Sequence, residues 1–363
     1  VTDQPAAPIP LDFGDPPPAA APKDQLSACC LVPPGDPTGR LWVAGDEDTA
    51  LWHLSPDGAL GFRDPVRFDL SPHLALPKGP RKEIDIEGLD CEGGRLWLVG
   101  SHSLGREKPD PEAEGRRRME PLALVKPRPN RLVLACLDLA DGLPGEPPRV
   151  AALPIAEEGN ALTRALAKDP HLGPFLRGPA SPKGRPRLAL AAKENGLDIE
   201  GLAVRGDRLL LGLRGPVLRE WALLLELGVE QDGPGVLALR PIGRDGRHYR
   251  KHFVDLGGMG TRDLVFQGND LLILAGPTMD IAGLQGIFRL HDVLGLEDDS
   301  ATAPGERLTP LLRLPFNPDG DKAEGLALCD GPDGPGLMVL YDSPVAARVQ
   351  GKGVVLADRF LPG

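Results

Sequence analysis

The chain repeats itself. Asp85-Ile86-Glu87-Gly88-Leu89-Asp90-Cys91 leads through Gly93 and Gly94 into a second apolar run, Arg95 to Gly100. The first half of this stretch returns as Asp198-Ile199-Glu200-Gly201-Leu202-Ala203 and again as Ala323-Glu324-Gly325-Leu326-Ala327. Aligning the glycines of the strands that follow puts Ser27, Glu87, Glu200, Asp263 and Glu324 at equivalent points. They recur about every 60 residues, with one interval of roughly twice that length. A unit of that size holding four short strands matches a propeller blade, whereas solenoid repeats run ~20–45 residues. The fold class is therefore all-β: a single β-propeller of four-stranded blades. Five blades are expected, with six as the alternative, in which Arg187-Leu188-Ala189-Leu190 supplies a strand within the long interval.

Glycine (46) and proline (41) are abundant, and they fall between the apolar runs as regular punctuation, so they read as turns. Residues 1–23 read as an irregular lead-in. Its candidate strand, Ile9 to Phe13, would complete the short last sheet and cover its open edge. Residues 24–363 form the propeller domain. A charged insert, Leu104 to Asn130, interrupts the second set of strands. Glu157 to Lys168 is the one short helical insertion, ending before Pro170.

A net charge of −11 argues against nucleic acid or an anionic membrane surface as partner and suits cations. The five cysteines form no C-x-x-C pair and stand mostly in apolar runs, as buried free thiols do. No apolar run reaches the ~18 residues of a membrane span. The compartment expected is the cytoplasm, with the periplasm or secretion as alternatives.

In a blade the first strand lines the axis and pairs antiparallel with the second, so its start lies beside the second strand's end. This places Glu87 near Ser101, His102 and Ser103, Glu200 near Arg214, and Glu324 near Asp342. Glu87, Glu200, Asp263 and Glu324 then ring a funnel mouth. Convergent carboxylates need a cation, basic partners or protonation, and hard oxygen ligands suit Ca²⁺ or another divalent cation. The same carboxylates could equally cap backbone N–H groups or pair with nearby Arg and Lys. His102 is the candidate base and Arg214 the candidate anchor for an anionic group. Asp46-Glu47-Asp48 reads as an exposed loop or a second cation site. Gly100 to Gly105 lacks the spacing and following helix of a nucleophile elbow.

The Asp-Ile-Glu-Gly-Leu repeats, Trp42-Val43-Ala44-Gly45-Asp46-Glu47 and Gly100-Ser101-His102-Ser103 resemble an uncharacterised bacterial β-propeller family of unknown function, across nearly the whole chain from Leu26. More distantly, the Glu-Gly-Leu-Ala repeat is similar to the esterase-like phytase family and, more loosely, to calcium-dependent gluconolactonase-type propellers. These resemblances imply a site on one face near the axis. Two functions are expected. One is a metal-assisted hydrolase of a phosphoester, ester or lactone. The other is a non-catalytic propeller binding a protein or small ligand on the same face.

Overall fold

The computed structural model describes residues 3–177 and 190–361. The chain is mostly β, with its strands in several sheets. The first set is β2 (Leu26–Val32), β3 (Arg40–Gly45), β4 (Ala50–Asp57) and β5 (Gly61–Asp69). The second is β6 (Ile86–Glu92), β7 (Arg95–Gly100), β8 (Leu134–Ala140) and β9 (Val150–Ala152). The third is β10 (Asp198–Arg205), β11 (Arg208–Gly215), β12 (Trp221–Gln231) and β13 (Tyr249–Asp255). The fourth is β14 (Gly260–Gln267), β15 (Asp270–Gly276), β16 (Gly286–Leu290) and β17 (Leu308–Arg313). The last is β18 (Lys322–Leu328), β19 (Leu337–Asp342) and β20 (Val354–Phe360), with β1 (Ala7–Asp12) as its outer strand. β1 pairs antiparallel with β20 from Ala7↔Arg359 to Asp12↔Val354, and meets β5 in parallel at Leu11↔Phe62.

Within each set neighbouring strands run antiparallel. The Gly93-Gly94 turn between β6 and β7 shows why glycine punctuates them: both residues have positive φ, 59° and 75°, which L side chains adopt at a cost. Packing then organises the sets around an axis. The first strands neighbour one another in cyclic order, β2 with β6, β10, β14, β18 and back to β2. A buried apolar cluster fills each seam between consecutive sets. Trp42, Leu51, Leu89 and Leu98 join the first and second, and Trp97, Val99, Leu202 and Leu211 join the second and third. Leu210, Leu224, Leu264 and Ile273 join the third and fourth, and Leu272, Leu274, Leu326 and Val339 join the fourth and last. Ile9, Leu11, Leu41 and Leu340 join the last to the first. Each such side chain contributes about 1.5–3 kcal/mol on burial.

The helical content differs in detail from expectation. Helix formation in the 157–168 window is confined to Ala161–Leu166, which starts at the Asn160 N-cap. A second helix, Gly173–Arg177, follows, and the charged insert holds its own helix, Gly115–Met119, and a hairpin of Leu104–Arg106 with Val125–Pro127. Of the Arg187–Leu190 stretch weighed for a sixth blade, 187–189 lie outside the described residues. No helix among those described is long and apolar enough to cross a membrane.

Candidate functional site

Strand alternation decides which loops share a face. The connection from second to third strand, and from the outer strand to the next first strand, both leave at the end where the first strands begin. The insertion 101–133 and the described parts of the second one, 153–177 and 190–197, therefore stand on that face, where loops carry function more often than scaffold does.

At that end every first strand carries a β-bulge. The register skips one residue between Leu26 and Ala28, Ile86 and Gly88, Ile199 and Gly201, Thr261 and Asp263, and Ala323 and Gly325. The skipped residues are Ser27, Glu87, Glu200, Arg262 and Glu324. A bulge re-aims a side chain out of the alternating pattern, and here it gathers these five at the mouth of the axis. The residue after the bulge meets the next first strand closely. A Cβ on Gly88 would stand 2.7 Å from Leu202 Cβ, and one on Gly201 would stand 2.8 Å from Leu264 Cγ. The Glu-Gly pair thus couples a re-aimed carboxylate to a close strand approach.

This register corrects the expected place of Asp263. The bulge position in the fourth set belongs to Arg262, and Asp263 occupies the position of Gly88 and Gly201. Its carboxylate is fully buried and accepts from the Leu264 and Leu326 backbone N–H groups at 2.8 and 2.7 Å. Asp263 staples two first strands together and does not face the mouth with the glutamates.

The mouth holds the other expected carboxylates, Glu87, Glu200 and Glu324, along with Asp85 and Asp198. Arginines pair with most of them. Arg214 Nη2 lies 2.7 Å from Asp198 and Nη1 contacts Glu200. Arg262 Nη1 donates to Glu200, and its Nη2 lies 2.8 Å from Glu324. Arg131 spans Asp85 (2.9 Å), Glu83 (3.0 Å) and the Ser103 hydroxyl (3.1 Å). Ser101 donates to Asp85 from a fully buried position. Arg214 therefore clamps carboxylates, and both its terminal nitrogens are engaged.

Glu87 is the exception. It is half-buried and, among the described residues, has no hydrogen-bond or ion-pair partner. Burial, then Asp85, Glu200, Glu324 and Asp198, holds its carboxyl well above the usual range. Burial pushes Glu324 up to about 8 against the opposing pull of Arg262. Asp46 joins this environment: burial, Asp85 and Asp342 raise it to about 6, and its Oδ1 is buried without a partner. With Glu83 and Asp46 counted, seven carboxylates meet three guanidiniums, so acidic groups outnumber them at the mouth.

His102 is not a base. It is 3% exposed, and burial lowers its pKa to about 4. Nδ1 lies 2.8 Å from the Gly100 carbonyl, which can only accept, so Nδ1 carries the proton. Nε2 then accepts from Asn160 Nδ2 at 2.9 Å, and the same amide donates to Leu132 O at 2.8 Å. The ring has no free lone pair. It orients the Asn160 side chain, whose Oδ1 accepts from Thr163 N and caps Ala161–Leu166.

The donor set does not fit a resident divalent ion. Among the described residues no three His, Cys, Asp or Glu side chains converge in metal-holding geometry. Asp85, Asp198, Glu200 and Glu324 already bind guanidiniums, which a metal would have to displace. Of the participating residues, Arg131 escaped the sequence reading of the mouth, Asp46 belongs to the loop read as exposed or as a second cation site, and Arg262 was read as a neighbouring basic partner and not as a residue of the ring. Arg262 had a legible signal, because Leu264 falls into line with Leu89, Leu202 and Leu326 once the fourth repeat is moved by one residue.

Residues 26–358 match the family described as "Protein of unknown function (DUF3616)", and the chain belongs to that family. No curated protein matches it. Among solved structures it is similar to hydrazine synthase of Kuenenia stuttgartiensis, at 8% identity and a TM-score of 0.34, over 88% of this chain. The chain spans only 56% of that protein's length. It is also similar to a luciferin-regenerating enzyme (8% identity, TM-score 0.34, 97% of this chain and 95% of that one). A third is the PQQ-bound aldose sugar dehydrogenase of Streptomyces coelicolor (11%, 0.36, 98% and 99%). At these scores none of the three activities is read across.

Proposed function

We propose that this member of the family is a five-bladed propeller, closed by β1, that binds a small cationic group at its acidic axial mouth. One observation carries the reading: Glu87 stands unpaired among four other carboxylates, three of which bind arginines held on rigid strands. An incoming cation meets a fixed acidic environment and gives Glu87 the partner it lacks. Because its carboxyl is held toward the protonated form, binding releases a proton and strengthens as pH rises.

The test is calorimetric titration with methylguanidine at pH 6 and pH 8, alongside thermal melts. Saturation at about a hundredfold excess over Kd stabilises a single-site protein by about 2.7 kcal/mol. Wild type should show a rise in Tm that Glu87→Gln abolishes. A wild-type Tm that no concentration of methylguanidine or butylamine moves would sink the reading.

A hydrolase reading retains one observation: a half-buried, unpaired Glu87 whose carboxyl is held well above the usual range suits a general acid. It has lost its base, since His102 is locked in the interior. Turnover of nitrophenyl esters or of simple lactones that disappears in Glu87→Gln would support it over simple binding.

A further inference from the structure

The loops around the mouth are more apolar than exposed loops usually are. Met279, Ile281 and Leu284 are 46%, 55% and 72% exposed, and Phe316 is 50% exposed. The first three lie on the connection from β15 to β16. Phe316 lies on the connection from β17 to β18. By strand alternation both connections leave on the mouth face.

Side-chain contacts fix the first loop beside the mouth. The Gln285 amide donates to Ala323 O at 3.0 Å and accepts from Ala323 N at 3.1 Å, clamping the loop's end one residue from Glu324. Between Met279 and Ile281, Asp280 contacts Lys322 and lies 3.7 Å from Lys193. The loop is thus tied down by its polar residues while its large apolar ones face solvent. Exposed apolar groups gathered at one place mark interaction sites more often than isolated ones do.

We infer that this face docks a protein segment in which an arginine or lysine, seated on Glu87, is flanked by apolar side chains that lie on Met279, Ile281, Leu284 and Phe316. Charge complementarity selects the basic side chain, since the mouth is acidic and the chain carries −11 overall. The apolar groups stand on two successive loops of the mouth face, which suits an extended chain. This inference rests on the cation-binding reading of the mouth and adds the class of partner.

Three probes separate the two ideas: methylguanidine, the blocked tripeptide acetyl-Leu-Arg-Leu-amide, and acetyl-Leu-Gln-Leu-amide. The arginine peptide is expected to bind roughly tenfold or more tighter than methylguanidine, about the effect of burying one apolar side chain. The glutamine peptide should not bind measurably. The double variant Ile281→Ser, Leu284→Ser should reduce the arginine peptide to the methylguanidine level and leave methylguanidine binding unchanged. If the peptide binds no tighter than methylguanidine, or the double variant changes its affinity less than twofold, the rim plays no part and the docking proposal falls while the mouth reading stands. If neither probe binds wild type, both fall.

Discussion

Arg262 Nη2 lies 2.8 Å from Glu324 Oε1, and each residue is the bulge residue of its own strand. Through Nη1 the same guanidinium holds Glu200, the bulge residue of a third strand. One buried cation thus ties three neighbouring first strands together at the mouth. Arg262→Ala would leave the half-buried Glu324 without a partner and the buried Glu200 with Arg214 alone, and removing one member of a buried ion group costs up to about 3–5 kcal/mol. Urea unfolding of the variant should show that loss. Arg262→Lys should recover only part of it, because an ammonium cannot span both carboxylates as a planar fork does.

Glu87→Gln should act in the opposite direction. Its folded-state pKa is raised, so the folded protein binds the proton more tightly than the unfolded chain does. The stability it contributes is therefore present in acid and is lost as pH rises through the folded-state pKa. A neutral amide escapes that loss. The Tm difference between Glu87→Gln and wild type should be near zero at pH 5 and grow to a few degrees by pH 8. Asp46→Asn should show the same trend centred lower, around pH 6. A variant less stable than wild type at pH 8 would contradict the assignment.

His102→Ala is expected to damage structure and spare binding. It leaves one hydrogen of the Asn160 amide without its partner while the bond to Leu132 O and the cap on Thr163 N remain, and an unsatisfied buried donor costs about 1–3 kcal/mol. Melts should register this, while methylguanidine affinity should stay within about twofold of wild type. A catalytic or ligand-binding histidine would give the reverse pattern.

Removing residues 1–13 should unfold the protein near room temperature or lower its Tm sharply. Ile9, Leu11 and Phe13 are all fully buried, and at about 1.5–3 kcal/mol each their loss approaches the whole stability of an ordinary domain. Their departure also bares the hydrogen-bonding edge of β20. An unchanged melting temperature would show that β1 is ornamental.

Calcium, magnesium or manganese should leave the Tm of wild type unmoved at millimolar concentration, because the carboxylates that would coordinate them already hold arginines. A clear rise that EDTA reverses would show that the guanidiniums yield to a metal.

Much of the mouth could be read from residues, and the failures have physical causes. Glu87, Glu200 and Glu324 were legible because a glycine follows each, and that glycine answers to the contact its neighbour strand makes. The fourth repeat lacks the glycine, so alignment on the following strand moved it by one and named Asp263 in place of Arg262. Arg131 comes to Asp85 from the residue that follows the charged insert, and nothing in the sequence distinguishes it from the solvated basic residues before it. His102 misled for another reason. A histidine between two serines looks the same whether its ring opens to a cavity or, as here, sits under a helix terminus. Burial and the partner on Nε2 are tertiary facts.

β1 has a consequence for how the molecule comes into being. Its partner is synthesised about 350 residues later, since Ala7 pairs with Arg359. The earlier sets can each pair locally as they emerge and β1 can meet β5 early at Phe62, but its antiparallel ladder must wait for β20. Contacts of such separation form late and slowly, and waiting strands invite wrong partners. The same seam that joins the last set to the first is where assembly is most exposed to chaperones, to a second copy of the chain, and to temperature.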